Sequence, residues 1–329
     1  MKETTYAYAV GRIRANELSL LTMLDIDQLI SADSYRSAIT ILEEKGWLEH
    51  EAHEDLDRSF KAQELKMWHL LQEISPDTSV FDSLLVRNDF HNIKASLKSF
   101  VSAQLMGTNI HEEDHFLLPC TIDPNKIHQA IITRNYDDLP AFVSSAILAT
   151  YEVLIRTADG QLADIMLDAK TMEEMKLRAA QSKSTFIEDV VEILCVSANI
   201  KIALRAAKTG KDKLFLETAL ISMKSLKKDS LIEATLKGND ELIHYLISTP
   251  FSGAVEAMKT SSSAFEKWCD DFLMAKLTKA KYVSLAVDPL IAYYIAKTTE
   301  IKNIRILLSC KHNHVASESI KERMRKLYV

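Results

Sequence analysis

Three stretches carry the reading of this chain: NIKASL at Asn92–Leu97, NIKIAL at Asn199–Leu204 and NIRILL at Asn303–Leu308. Each is Asn, Ile, a base, two variable residues and Leu. The copies start 107 and 104 residues apart, close to a third of the 329-residue chain. A six-residue match is weak by itself; near-equal spacing, joined to matching helix starts upstream, indicates an internal triplication. Ser79 with Asp82 makes an S-x-x-D start 13 residues before Asn92. Thr185 with Glu188 makes a T-x-x-E capping box 14 residues before Asn199, and Asp288 followed by Pro289 makes a start 15 residues before Asn303. Capping side chains accept from backbone N–H groups that the first helical turn leaves without partners. Proline suits the first helical position because it has no N–H to satisfy.

On a helix, residues four apart lie on one stripe. Ile93 and Leu97, Ile200 and Leu204, and Ile304 and Leu308 therefore form three equivalent apolar stripes. The preceding asparagine falls on one shoulder, and Lys94, Lys201 or Arg305 on the other. Lys98 and Arg205 extend the basic row by a turn in the first two copies, where the third has Ser309. The structural reading is that Asn92, Asn199 and Asn303 bond a neighbouring helix while the bases solvate the rim, since long cationic side chains snorkel from apolar surface. The functional reading makes the bases a partner-binding row. Glu300 lies five residues before Arg305, too far round the helix to pair with it, so the partner of Arg305 is expected on another helix or another subunit.

Composition bounds the class. A 47% hydrophobic and 26% charged chain of this length can bury two or three proper cores. Only 7 Gly and 6 Pro leave few breaks, which favours long helices. A net charge of −6 argues against a dedicated nucleic-acid binder. Cys120, Cys195, Cys269 and Cys310 are scattered, with no C-x-x-C pair, as expected of buried thiols in a reducing compartment. No secretory leader is expected, and no run of about 18 apolar residues offers a membrane span.

Helices are expected over the opening YAYAVGRIRANELSLL, Asp27–Trp47, Glu51–Ile74, Val80–Leu105, Asn125–Arg134, Leu139–Thr157, Gln161–Gln181 and Phe186–Lys208. They continue over Leu214–Ser225, Asp229–Leu236, Asp240–Ile247, Gly253–Met258, Ala264–Lys281, Pro289–Cys310 and Glu318–Leu327. Thr108–Pro124 reads as a linker. Nothing alternates like a strand, so the expected class is all-α, with repeats over 1–118, 119–211 and 212–329.

Catalytic motifs are scarce. His111-Glu112-Glu113-Asp114-His115 satisfies H-E-x-x-H, yet its variable positions are acidic and Gly107, Asn109 and Pro119 surround it, so a solvated loop is expected rather than a zinc site. His50 and His53 read as part of a polar helix face. Phosphate-loop, dinucleotide and nucleophile-elbow signatures are missing, and the basic runs Lys224–Lys228 and Lys321–Lys326 lack aromatics to stack bases. No catalytic residue, metal or cofactor is expected.

The run DPLIAYYIAKTTEIKNIRILLSCKHNHVASESIKERMRKLYV resembles the C-terminus of the C subunit of A/V-type rotary ATPases, the family that includes the d subunit of eukaryotic V-ATPases. YAYAVGRIRANELSLL and LLVRNDFHNIKASL are similar to it too. The chain departs from the family at Thr298-Thr299, where Glu-Asn is frequent. The resemblance implies three homologous helical domains arranged as a pseudo-threefold funnel. It further implies a non-enzymatic rotor part, peripheral at the cytoplasmic face of the membrane, that rests on the proteolipid rotor ring and receives the central-axle subunits of D and F type, with no nucleic acid or small-molecule substrate. Two other classes compete: a cytosolic all-helical scaffold or adaptor, and a helical metallohydrolase using His111 and His115.

Overall fold

A computed structural model describes residues 5–49, 55–106, 116–157 and 159–329. No strand occurs among the described residues, so the class is all-α. In chain order the helices begin with α1 (Ala7–Glu17), α2 (Met23–Ser31), α3 (Tyr35–Glu44) and α4 (Leu56–Ile74). Next come α5 (Asp82–Met106), α6 (Pro124–Thr133), α7 (Ala141–Thr157), α8 (Gly160–Gln181) and α9 (Thr185–Thr209). The short α10 (Lys213–Ala219), α11 (Lys228–Lys237), α12 (Asn239–Ile247) and α13 (Ala254–Thr260) follow. The chain closes with α14 (Ser262–Leu277), α15 (Asp288–His312) and α16 (Ser317–Arg323).

The three motif helices, α5, α9 and α15, are each 25 residues long. Their first residues, Asp82, Thr185 and Asp288, are 103 apart in both intervals. Their starts differ from the expected caps. Ser184, not Thr185, caps α9 by accepting from the Ile187 N–H at 3.4 Å. α15 begins one residue early, so Asp288 is already helical, and α5 is preceded by a 3₁₀ turn over Ser79–Phe81. Gly210 ends α9 in the left-handed region at φ 63°, a conformation glycine adopts without a Cβ clash.

The chain forms two compact units: Met1–Thr78 with Gly253–Val329, and Ser79–Ser252. In the first, α15 is the central helix, packed by α1, α3, α4, α14 and α16. Its sequence explains this: DPLIAYYIA is apolar on every side, and a helix apolar all round has to be covered all round. Ile26, Leu29, Leu42, Ile304 and Leu307 are sealed within the same core. In the second unit α5 packs on α8, α6 and α7, while α9 lies against α8, α10, α11 and α12. Compact units and sequence repeats thus cut the chain differently. The long helix that precedes one motif in the chain packs on another motif helix, α4 on α15 and α8 on α5.

Five expected helices are shorter or broken; the opening one stops at Glu17 rather than Leu21, and the one expected over Ala264–Lys281 gives way to a 3₁₀ turn after Leu277. Asp27–Trp47 is two helices, α2 and α3, because Ser34 accepts from the Ser37 N–H and starts a new one. α2 itself opens on a capping box that joins Thr22 and Asp25. Helices expected to reach Ser225 and Leu327 stop at Ala219 and Arg323.

Candidate functional site

The motif asparagines explain those early stops. Asn92 is fully buried on α5; its Oδ1 accepts from the Leu117 N–H at 2.8 Å and its Nδ2 donates to the Leu117 carbonyl at 3.1 Å. Asn199 does the same to Ile221, at 3.3 and 2.8 Å. Asn303 does it to Arg325, at 2.9 Å in both bonds. A side-chain amide thus copies one edge of a peptide and seizes both backbone groups of a single residue. The three gripped residues, like the three asparagines, recur at a near-constant interval. Each lies in a non-helical stretch that follows the motif helix. The partner is therefore not a neighbouring helix: a buried helix has already spent its backbone groups on itself, whereas an irregular segment has an N–H and a C=O that need partners.

The apolar stripe is as expected at Ile93, Leu97, Ile200, Ile304 and Leu308, all sealed, while Leu204 is half-buried. A second layer of polar groups was not foreseen. Asp89, three residues before Asn92, is fully buried and accepts from the N–H groups of Thr121 and Ile122 at 2.8 and 3.1 Å and from the Thr121 hydroxyl at 2.5 Å. Burial pushes its carboxyl above the ordinary aspartate value, against the pull of these bonds and of the Arg178 charge. Glu192 holds the segment after Ile221 by accepting from the N–H and hydroxyl of Ser225, both at 2.7 Å. In the third copy α14 shares the work: Asp270 accepts from Arg325 Nε at 3.0 Å and Asp271 from the Lys326 N–H at 2.6 Å.

Glu300, also three residues before its asparagine, is 1% exposed. It accepts from the Leu21 N–H at 2.6 Å, from Trp47 Nε1 at 2.7 Å and from the Lys297 ammonium. Its bonds join α15 to the beginning of the chain. The signal that could have found Asp89 was its offset, since an acid stands three residues before the asparagine in both the first and third copies. The gripped residues carried no signal, because the bonds go to backbone.

The bases occupy three environments. Lys94 pairs with Asp168 at 2.8 Å and lies 3.9 Å from Asp164, which Lys98 reaches at 2.8 Å, so both join α5 to α8. Lys201 and Arg205 are exposed on α9. Arg305 is half-exposed on α15 and faces α4, with its guanidinium 4.7 Å over the Phe60 ring and 3.8 Å from Asp57. Its partner is thus on another helix of the same unit.

His111–His115, His50 and His53 lie outside the described residues. Among those described, no cluster of three or more His, Cys, Asp or Glu could hold a metal ion. Burial pushes the thiols of Cys120 and Cys195 up to about 11 and about 12, which keeps them protonated and unreactive near neutral pH.

A family model described as ATP synthase (C/AC39) subunit matches residues 9–323. The chain belongs to this family. As a C/AC39 member it is similar along nearly its whole length to characterised relatives. The C subunit of the V-type sodium ATPase of Enterococcus hirae is 25% identical over 326 residues, covering 96% of this chain and 97% of the relative. The C subunit of the A-type ATP synthase of Methanocaldococcus jannaschii is 23% identical, covering 96% and 85%. That of Pyrococcus furiosus is 22% identical, covering 98% and 90%. No described helix of this C/AC39 chain is long and apolar enough to cross a membrane.

Proposed function

We propose that this chain is the C subunit of a V/A-type rotary ATPase: a non-catalytic rotor part at the cytoplasmic face, seated on the proteolipid ring and joined to the central-axle subunits of D and F type. The observation that carries the reading is the family match from residue 9 to residue 323, with relatives named as C subunits matched over 85% or more of their length. The likeness is to the whole subunit rather than to one borrowed module.

The physical demands of the role agree with the chain. Torque passes only through a body that resists twisting. Each repeat supplies a 25-residue helix and an amide that grips the segment returning from it, so helix and connection move together. In this reading the repeats over 1–118, 119–211 and 212–329 surround one approximate threefold axis as a funnel. Lys94, Lys98, Lys201, Arg205 and Arg305 would form its uneven basic row. Arg305 is the proposed orienting contact, because a planar guanidinium fixes a carboxylate partner in direction as well as distance. Lys94 and Lys98 would act through α8, whose carboxylates already hold them.

The test is a pull-down of the tagged full-length chain from detergent-solubilised membranes. Axle and ring subunits should be recovered with it in fixed ratio. Recovery of the chain from the soluble fraction alone, with no other ATPase component attached, would replace this reading with that of a helical scaffold.

A further inference from the structure

In a chain of net charge −6, the stretch from Phe272 to Val287 holds three lysines and no acid. It runs from the last turns of α14 through a 3₁₀ turn over Thr278–Tyr282 to the start of α15. Lys276, Lys279 and Lys281 are exposed. The Lys281 ammonium lies 4.9 Å from the centre of the Tyr328 ring, which brings the last residues of the chain alongside, with Lys326 exposed among them. None of these four lysines pairs with a carboxylate among the described residues. Acids near the turn are engaged elsewhere: Arg14 holds Glu17 at 2.7 Å, and Lys267 holds Asp271 at 3.0 Å.

The backbone of this turn is fixed while its side chains stay uncovered. Arg14, in the last turn of α1, donates to the carbonyls of Ala280, Lys281 and Val283 at 2.6, 3.0 and 3.1 Å. Ala280 is sealed, yet Tyr282, between the gripped residues, is 89% exposed and Leu285 is 48% exposed. Leu18, as exposed as Tyr282, follows Arg14 by four residues. A ring held out on a fixed backbone loses little conformational freedom when a partner covers it. A tyrosine among unpaired lysines suits a lipid surface: the interfacial layer takes an aromatic body with a polar tip, and ammonium groups meet anionic headgroups. Protein interfaces are depleted in lysine, and an exposed turn offers no hollow to a small ligand.

We propose that the turn around Tyr282 docks on an anionic membrane surface. Tyr282 and Leu285 enter the headgroup layer, and Lys276, Lys279, Lys281 and Lys326 meet its negative charges. This contact is additional to the protein partners proposed above and does not rest on them, since the chain alone carries every residue the contact needs.

The experiment is co-sedimentation of the full-length chain with vesicles of phosphatidylcholine alone and of phosphatidylcholine mixed with phosphatidylserine, at low and high salt. Binding to the mixed vesicles, weakened by salt and absent on the neutral ones, is expected. Lys279→Gln combined with Lys281→Gln should weaken it about 25-fold, because each lysine near a charged surface contributes about fivefold. Tyr282→Ser should weaken it several-fold at unchanged charge, and Tyr282→Trp should retain it. The control, Lys213→Gln combined with Lys237→Gln, removes the same charge from exposed lysines of the other unit and should bind as the parent does. All these side chains are exposed, so the variants should keep the parent's melting temperature. Polyglutamate, as a separate arm, stands for an acidic protein surface. Binding to it as tight as to the mixed vesicles would assign the turn to a protein instead. The proposal would also be overturned by no binding to the mixed vesicles, by equal binding to both kinds, or by equal losses in the two lysine pairs.

Discussion

Asp89 and Glu300 stand at the same place in two copies of one motif, three residues before the asparagine, and both are sealed from water. Each takes three hydrogen bonds, yet they connect different things. Asp89 holds Thr121 and Ile122, in the segment its own Asn92 already grips, so its reach is local. Glu300 holds Leu21, 279 residues away in the chain, together with Trp47 and a buried ammonium. The second copy has Val196 at this offset and uses Glu192 instead. The three copies of the motif thus share the amide grip and differ in the acid beside it. The difference is between fastening a loop and joining the two ends of the chain.

The largest effect should come from the chain-joining acid. Glu300→Ala leaves the Lys297 ammonium buried without a counter-charge and removes the acceptor of two further donors, which should cost roughly 3–5 kcal/mol. Urea unfolding of the purified chain measures it, and hydrogen exchange should quicken at the Leu21 amide. A loss no greater than that of Asp89→Ala would break the comparison.

The amide grips come next. Asn303→Asp keeps the acceptor for Arg325 but cannot donate to its carbonyl, so about 2–3 kcal/mol should be lost. Asn199→Asp should match it, because both residues of that pair are buried. Asn92→Asp should cost less, since Leu117 is 37% exposed and water can serve its carbonyl. Equal losses at all three positions would mean that the exposure of the gripped segment does not matter.

Asp89 allows a finer test through pH. Its folded-state carboxyl is raised above the ordinary value of 3.8, so the fold favours the protonated form. The stability this contributes is complete below the ordinary value and is lost as pH rises through the raised one. Asp89→Asn keeps the shape: Oδ1 accepts from Thr121 and Ile122 while the amide donates to the Thr121 hydroxyl. The variant should lie within about 1 kcal/mol of the parent. Its stability relative to the parent should improve as pH is raised from below 3.8, as read from unfolding midpoints. A relative stability that fell with pH would show the carboxyl to be lowered instead.

The smallest effect on the isolated chain is expected at Arg305. Its contacts with Asp57 and the Phe60 ring are half-exposed, so Arg305→Glu should shift stability by less than about 1 kcal/mol. If Arg305 orients a partner of the rotor, the same variant should assemble poorly at low salt, and its difference from the parent should narrow as salt is raised. A large fall in melting temperature with unchanged assembly would make the residue purely structural.

The sequence by itself determined the all-α class and the threefold recurrence of one six-residue motif. Scarce glycine and proline leave few ways to end a helix, and NI-base-x-x-L recurs at near-constant spacing whatever the fold does with it. It also determined where the three motif helices run, to within a residue or two, because apolar periodicity is a local property. Tertiary structure decided what the asparagines hold. Leu117, Ile221 and Arg325 share no side-chain chemistry, since the bonds reach their backbones, and a backbone group writes nothing into the sequence. It also decided that Thr185 yields its cap to Ser184, and that Lys94 and Lys98 face the aspartates of α8 while Arg305 faces α4. Which helix packs on which motif, α4 on α15 and α8 on α5, depends on apolar surfaces meeting across long stretches of chain. Such surfaces are interchangeable in composition, and only their shapes in the folded state select the pairing.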